Sequence, residues 1–266
     1  MARILLIETS TALLSTAISE DGVVTACLES AELRSHASLT AVFIDRMLKK
    51  EGLGMKDFDA VAVSKGPGSY TGLRVGVSTA KGLCFGAGIP LIGIGTLEVL
   101  AAQAVLAFEG AGASTVASRP LPPTVSAGPS PLCGRGWPQV AAPAPSPAET
   151  AYRYIVPMID ARRMEVYCAV FSPDGKQLTN VEARIVEPDS FAKELSEGPV
   201  LFIGDGAEKC RETIPGGSFL QCYPKASAMA PLAEAAFKEG RFEDLAYFEP
   251  FYLKDFVATV SHKKLF

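Results

Sequence analysis

The chain opens on an apolar run, Ile4 to Ile7, set between Arg3 and Glu8, and this pattern suits one short buried strand. Thr9-Ser10-Thr11 then makes a polar turn, and 13–19 and 23–29 are predicted as two further strands around the hairpin signal Asp21-Gly22. From Leu39 the apolar spacing becomes helical, through Val42, Phe43, Met47 and Leu48. Ser35 or Ser38 is the expected N-cap, and Gly52 and Gly54 end the helix. Residues 59–64 predict a buried strand that runs into the glycine-rich segment 65–72. A helix from about Leu73 to Phe85, a strand from Pro90 and a helix over Leu97–Phe108, capped by Thr96, follow.

The periodicity then stops. Residues 110–150 hold Gly, Ala, Ser and Thr, and 9 of the chain's 19 prolines lie between Arg119 and Pro147. Such a stretch cannot offset its ordering entropy by burial, so 110–151 is expected to be a flexible insertion, with Trp137 the one residue suited to a docking arm. Widening a five-residue loop to forty costs only roughly 1.8 kcal/mol, so a stable fold tolerates it. Regular patterning resumes with strands at 154–160 and 165–171, a strand at 181–186 and a helix at 189–196. A strand at 200–203, Gly204-Asp205-Gly206 with a short helix, and a long helix near 228–240 complete the series. Each half opens on a hairpin and then alternates strand and helix, which predicts two similarly built lobes over 1–109 and 152–266.

Charge changes the picture by exclusion. With 25 Lys+Arg against 29 Asp+Glu the net charge is −4, so overall charge does not hold this chain on nucleic acid or an anionic membrane, though a local basic patch stays open. The six cysteines, Cys27, Cys84, Cys133, Cys168, Cys210 and Cys222, form no C-x-x-C pair, which fits neither a disulfide framework nor a zinc site. His36 and His262 are the only histidines, and Thr40 stands four residues after His36, so no helical histidine pair exists to hold a metal. No Ser/His/Asp or Cys/His set can be assembled for peptidase chemistry either. The apolar run between Lys81 and Glu98 is broken by five glycines and Pro90. With no signal-like start, the expected location is the cytoplasm.

Three turns are candidates for chemistry. Gly66, Gly68 and Ser69 close a strand and open a helix, the arrangement that offers backbone N–H groups to an anion. The segment lacks the Lys-Ser/Thr pair of a P-loop and has the wrong glycine spacing for a dinucleotide fingerprint. Equally, Gly72, Gly76, Ala80 and Gly82 make a small-residue face for close packing, and sequence alone leaves both readings open. Asp160-Ala-Arg-Arg-Met-Glu165 is a charge-dense hairpin turn, either a carboxylate pair or a solvated loop. Asp205 and Gly206 form a second candidate cradle, and with Ser10 and Thr11 of the first loop they complete the candidate nucleotide contacts.

Together these runs resemble the bacterial TsaB (YeaZ) family. The resemblance rests on Ile4–Thr11, Ser35-His36-Ala-Ser-Leu39, Gly66–Gly76 with Ala80–Leu83, Pro90–Leu97, Ile159–Tyr167 and Gly204–Ala207, in the family's order. Glu8 stands where that loop usually carries aspartate, and 110–151 replaces a short connection. The resemblance implies an α/β, actin-like (ASKHA, ribonuclease H-like) two-lobed fold, each lobe a mixed sheet with flanking helices. It also implies a non-catalytic role in forming N6-threonylcarbamoyladenosine (t6A) at position 37 of tRNAs that read ANN codons. The implied partners are the transferase TsaD, joined as a heterodimer through the first two helices, and the ATPase TsaE. A homodimer is expected when TsaD is absent, and tRNA is reached only through the complex. The interface expected from this is His36, Leu39, Phe43, Thr71, Gly72, Arg74, Val75, Gly76, Thr79 and Leu83. No metal and no cofactor of its own is expected, with ATP or ADP only at a shared interface. An actin-like enzyme that binds ATP, a phosphotransferase or carbamoyltransferase, is the competing reading.

Overall fold

The computed structural model describes residues 1–32, 35–111 and 152–254. The insertion expected at 110–151, with Trp137 and Cys133, and the C-terminal His262 fall essentially outside these residues.

The first sheet is built on β1 (Arg3–Glu8), whose five residues from Ile4 onward are all buried. It pairs antiparallel with β2 (Leu14–Glu20), which turns at Asp21-Gly22 into β3 (Val23–Ser30). Both turn residues take positive φ, 48° and 78°, and the Asp21 carboxylate accepts from Ala2 N at 2.8 Å, tying the turn to the chain start. After α1 (His36–Glu51), β4 (Ala60–Gly66) returns parallel to β1. Next come α2 (Tyr70–Ala87), β5 (Leu91–Gly95) and α3 (Thr96–Ala111). The second sheet uses β6 (Tyr154–Asp160), β7 (Glu165–Cys168), β8 (Glu182–Ile185), β9 (Val200–Ile203) and β10 (Ser218–Leu220), with α4 (Ala192–Glu197) before β9 and α5 (Ala230–Lys238) last. Strand orders β3-β2-β1-β4-β5 and β8-β7-β6-β9-β10 are the same path walked twice. The fold is a two-lobed, actin-like α/β architecture.

Some bounds differ from the sequence expectation for local reasons. Helix α2 starts at Tyr70, earlier than Leu73, because the Ser69 side chain accepts from Gly72 N and caps it there. The helix expected at 189–196 begins only at Ala192, since 187–190 forms a turn in which Ser190 N donates to Glu187 O. The long helix near 228–240 is a 3₁₀ turn over Ala226–Met229 followed by α5, whose Pro231 is accepted in the first turn where its missing N–H has no partner to lose. Strand β10 was not expected: its three residues are too few to show a period.

Alternation along the central strands sorts the core. Leu5, Ile7, Val61 and Val63 face α1 and α2, meeting Ile44, Met47, Val77 and Ala80. Ile4, Leu6, Ala60 and Ala62 face the opposite way and are covered by Met229, Ala230 and Ala233. Helix α3, in turn, lays Leu97, Leu100, Ala101 and Ala104 on Ile155, Ile159, Leu201 and Ile203 of the second sheet. Packing therefore crosses the 109/152 division of the chain in both directions. Residues 241–254 then run without regular structure. Glu243 N donates to Leu91 O (2.8 Å), Lys81 Nζ to Phe248 O (3.1 Å), and Phe251 N to Lys65 O (2.6 Å).

Candidate functional site

The glycine-rich turn and the first loop are brought together, but they pack on each other. Ser69 N donates to Ser10 O at 2.6 Å. A Cβ on Gly68 would lie 2.4 Å from Ser10 O, and one on Gly66 would lie 2.6 Å from Phe251 O. The turn read from the sequence as an anion cradle is thus packed closely on the chain's own backbone at Gly66, Gly68 and Ser69. Gly66 lines a cavity of about 230 Å³ together with Lys65, Pro67, Gly95, Glu98, Gln177, Val181 and Phe251. Ser10 and Thr11 are buried beneath the surface, and the Thr11 hydroxyl has no hydrogen-bond partner among the described residues.

Glu8 ends β1 inside this region and is fully buried. Burial pushes its carboxyl above the ordinary range, against the opposing effect of the Ser10 and Ser64 hydroxyls and the Ser10 and Thr9 N–H groups. One oxygen accepts from Ser10 N at 2.7 Å, so the carboxyl fixes the loop that packs under α2.

Asp205 and Gly206 lie on the second lobe. Asp205 Oδ1 accepts from Asp160 N at 3.0 Å, while a Cβ on Gly206 would stand 3.0 Å from that same nitrogen. Burial raises the Asp205 carboxyl to about 6, with the nearby Asp160 charge adding and Lys209 opposing. Its geometry buttresses the β6–β7 hairpin. The contacts of this pair are with Asp160, Gln221 and their own lobe, and none joins them to Ser10 or Ser69.

The helix pair divides just as clearly. A Cβ at Gly72 would lie 2.1 Å from Thr9 O, and one at Gly76 would lie 2.2 Å from Thr9 Oγ1. Thr9 Oγ1 itself donates to Gly72 O at 2.8 Å. Gly72, Gly76 and the buried Phe43 therefore face the interior, where the glycines let α2 sit directly on the first loop. Thr71 and Arg74 are exposed, and His36, Leu39, Val75, Thr79 and Leu83 are half-buried along the outer seam. The Arg74 guanidinium lies over the Tyr70 ring at 4.9 Å, and Tyr70 in turn packs on Tyr252 at 4.8 Å between centroids.

Residues that the sequence reading passed over complete this outer face. Phe85 on α2 is 84% exposed, and Val42 on α1 is exposed as well. Cβ positions on Gly82 and Gly86 meet nothing within 4 Å, so backbone is open to approach along the same side of α2. The signal for Phe85 was present in the sequence as an apolar residue out of step with Leu73, Val77, Ala80 and Cys84. Among the described residues no group of three or more His, Cys, Asp or Glu side chains could hold a metal ion, and no helix is long and apolar enough to cross a membrane.

The comparisons with known proteins agree with this architecture. The sequence model of the TsaD family, tRNA N6-adenosine threonylcarbamoyltransferase, matches residues 29–133, a span that contains α1, α2 and α3. The tRNA threonylcarbamoyladenosine biosynthesis protein TsaB of Escherichia coli is 27% identical over 99% of this chain and 98% of its own length. Its Haemophilus influenzae namesake is 42% identical over 38% of this chain and 42% of its own. A tRNA N6-adenosine threonylcarbamoyltransferase of Cereibacter sphaeroides is 44% identical, but over only 24% of this chain and 18% of that protein. Among solved structures, YeaZ from Pseudomonas aeruginosa superposes with a TM-score of 0.70 at 21% identity, covering 95% of this chain and 100% of that one. Full-length similarity thus runs to TsaB and YeaZ, and similarity to the transferases stays local. By sequence and by fold, the chain is similar along its whole length to the TsaB (YeaZ) proteins.

Proposed function

We propose that this chain is a non-catalytic subunit of the machinery that forms t6A in tRNA, and that it works by docking the outer face of α1 and α2 against the transferase TsaD. The observation that carries the docking is the outer face of the helix pair, where Phe85 is almost fully exposed and Gly82 and Gly86 leave backbone open. An exposed aromatic beside open helix backbone is the anatomy of an interface centre. The match of the transferase family model to 29–133 supports the choice of partner, because related helix pairs can meet about a pseudo-twofold axis with equivalent patches in contact. The same argument supports a homodimer through this face when the transferase is absent. The interior placement of Gly72 and Gly76 gives them the indirect role of setting the helix height.

Recruitment of TsaE, and tRNA reached through the complex, belong to the same reading. So does ATP or ADP at a surface shared with the partners, since the isolated chain's glycine turn packs on Ser10 and Phe251. That packing also speaks against the competing reading, an ATP-dependent enzyme acting alone. The test is deletion of the gene in its host, followed by nucleoside analysis of bulk tRNA. Loss of t6A, restored by the wild-type chain, is expected; undiminished t6A in the deletion strain would overturn the proposal.

A further inference from the structure

The hairpin between β6 and β7 takes no part in the docking face, yet its backbone is unusual and held at several points. Arg162 and Arg163 both hold positive φ, 70° and 52°. Among the described non-glycine residues only Asp21 shares that region, and long side chains rarely enter it. Such an outlier persists only where its surroundings over-determine it. Here the surroundings are specific. Lys209 Nζ donates to Arg163 O and to Glu165 O, each at 2.7 Å, and also pairs with the Asp160 carboxylate. Asp160 Oδ1 accepts from Arg162 N at 2.9 Å, and Asp205 Oδ1 accepts from Asp160 N at 3.0 Å.

The same framework decides the electrostatics. Asp160 is engaged by Lys209, Glu165 is paired with Lys254, and Asp205 is turned onto backbone. These three carboxylates therefore each have another partner, and neither exposed guanidinium enters an ion pair or hydrogen bond among the described residues. Elsewhere Arg3, Arg184, Arg211 and Arg241 each pair with a glutamate. Two uncompensated guanidiniums on a rigid turn are suited to phosphate oxygens, which they grip with paired N–H donors.

We infer that the Arg162–Arg163 hairpin is a contact for the phosphodiester backbone of RNA. A mononucleotide would need a concave site to bury it, and neither arginine lines the cavities of about 650 and 230 Å³ at Lys65. A backbone contact needs only presented cations, and in a chain of net charge −4 it must be local. The choice of RNA, with tRNA as the molecule in question, rests on the proposed t6A role; the hairpin's phosphate chemistry does not.

The test titrates fluorescently labelled, unmodified tRNA with the full chain, alone and together with the transferase of the same genome, across a salt series. Arg162→Asn combined with Arg163→Gly removes both charges while installing residues that accept positive φ, so the fold is kept or made more stable. Lys176→Gln combined with Lys193→Gln removes the same charge elsewhere on the lobe. The arginine variant should bind about tenfold or more weakly at low salt and lose roughly 1.5 from the salt slope, with an unchanged or raised melting temperature. The lysine variant should lose far less. An unchanged affinity and slope in both settings, an equal loss in the lysine variant, or displacement of tRNA by millimolar ATP at constant ionic strength would overturn the inference. Nucleoside analysis of the deletion strain is a separate readout, so the failure of the t6A role and the failure of the hairpin contact can be told apart.

Discussion

Alanine at Gly72 and alanine at Gly82 are the same substitution on the same helix, and the packing under α2 assigns them opposite signs. At Gly72 the new methyl would stand 2.1 Å from Thr9 O, a backbone atom that cannot rotate away. The loop must move by about an ångström or the helix must lift. Overpacking of this kind costs about 1–3 kcal/mol. Lifting the helix also endangers the buried bond from Thr9 Oγ1 to Gly72 O (2.8 Å), a further contribution of about 1 kcal/mol. Helix propensity returns about 0.5–1 kcal/mol. The net loss is about 2 kcal/mol, or a fall of roughly 4–8 °C in melting temperature for a protein of this size. At Gly82 nothing lies within 4 Å, so only the propensity gain remains and the melting temperature should rise by roughly 1–3 °C. Thermal unfolding followed by circular dichroism reads both. A neutral Gly72→Ala, or a Gly82→Ala as damaging as it, would refute the assignment of an inner and an outer side to this helix.

Phe85→Glu should weaken binding to the transferase of the same genome by roughly 30-fold or more in a calorimetric titration, with thermal stability within about 0.5 kcal/mol of wild type, because the side chain is 84% exposed and supports no core. Asp205 supplies a pH dependence. Its carboxyl rises from an ordinary 3.8 to about 6 on folding, so its contribution to stability is full below 3.8 and is lost as pH rises through about 6. Asp205→Asn, which keeps an acceptor for Asp160 N, should flatten the stability profile across that window in urea titrations at stepped pH; an unchanged slope would contradict the burial of the carboxyl.

Much of the framework was legible because it rests on local signals. Asp21-Gly22 marks the β2–β3 turn, the spacing of Phe43 and Met47 marks α1, and Gly52 ends it with left-handed backbone. The repeated order of hairpin followed by alternation showed two related sheets. The site was less legible, for a reason specific to glycine. A glycine face carries no hydropathy, so Gly72 and Gly76 pressed on Thr9 look the same in sequence as Gly82 and Gly86 open to solvent. Neither could periodicity show that Met229 and Ala233 cover the first sheet, since their apolar spacing fits either lobe. The path of 241–254 leaves no periodic trace, because part of its hold is through backbone groups such as Glu243 N on Leu91 O and Phe251 N on Lys65 O. Without that segment, the packing of the glycine turn could not be foreseen.

The docking role is tested most directly in the deletion strain, by measuring tRNA t6A after complementation with the wild-type chain or with Gly82→Arg. Arginine at this open position leaves the core untouched but projects a charged side chain from the outer face of α2. Restoration by the wild-type chain and failure by a folded Gly82→Arg is the predicted result. Full restoration of t6A by Gly82→Arg would contradict the account.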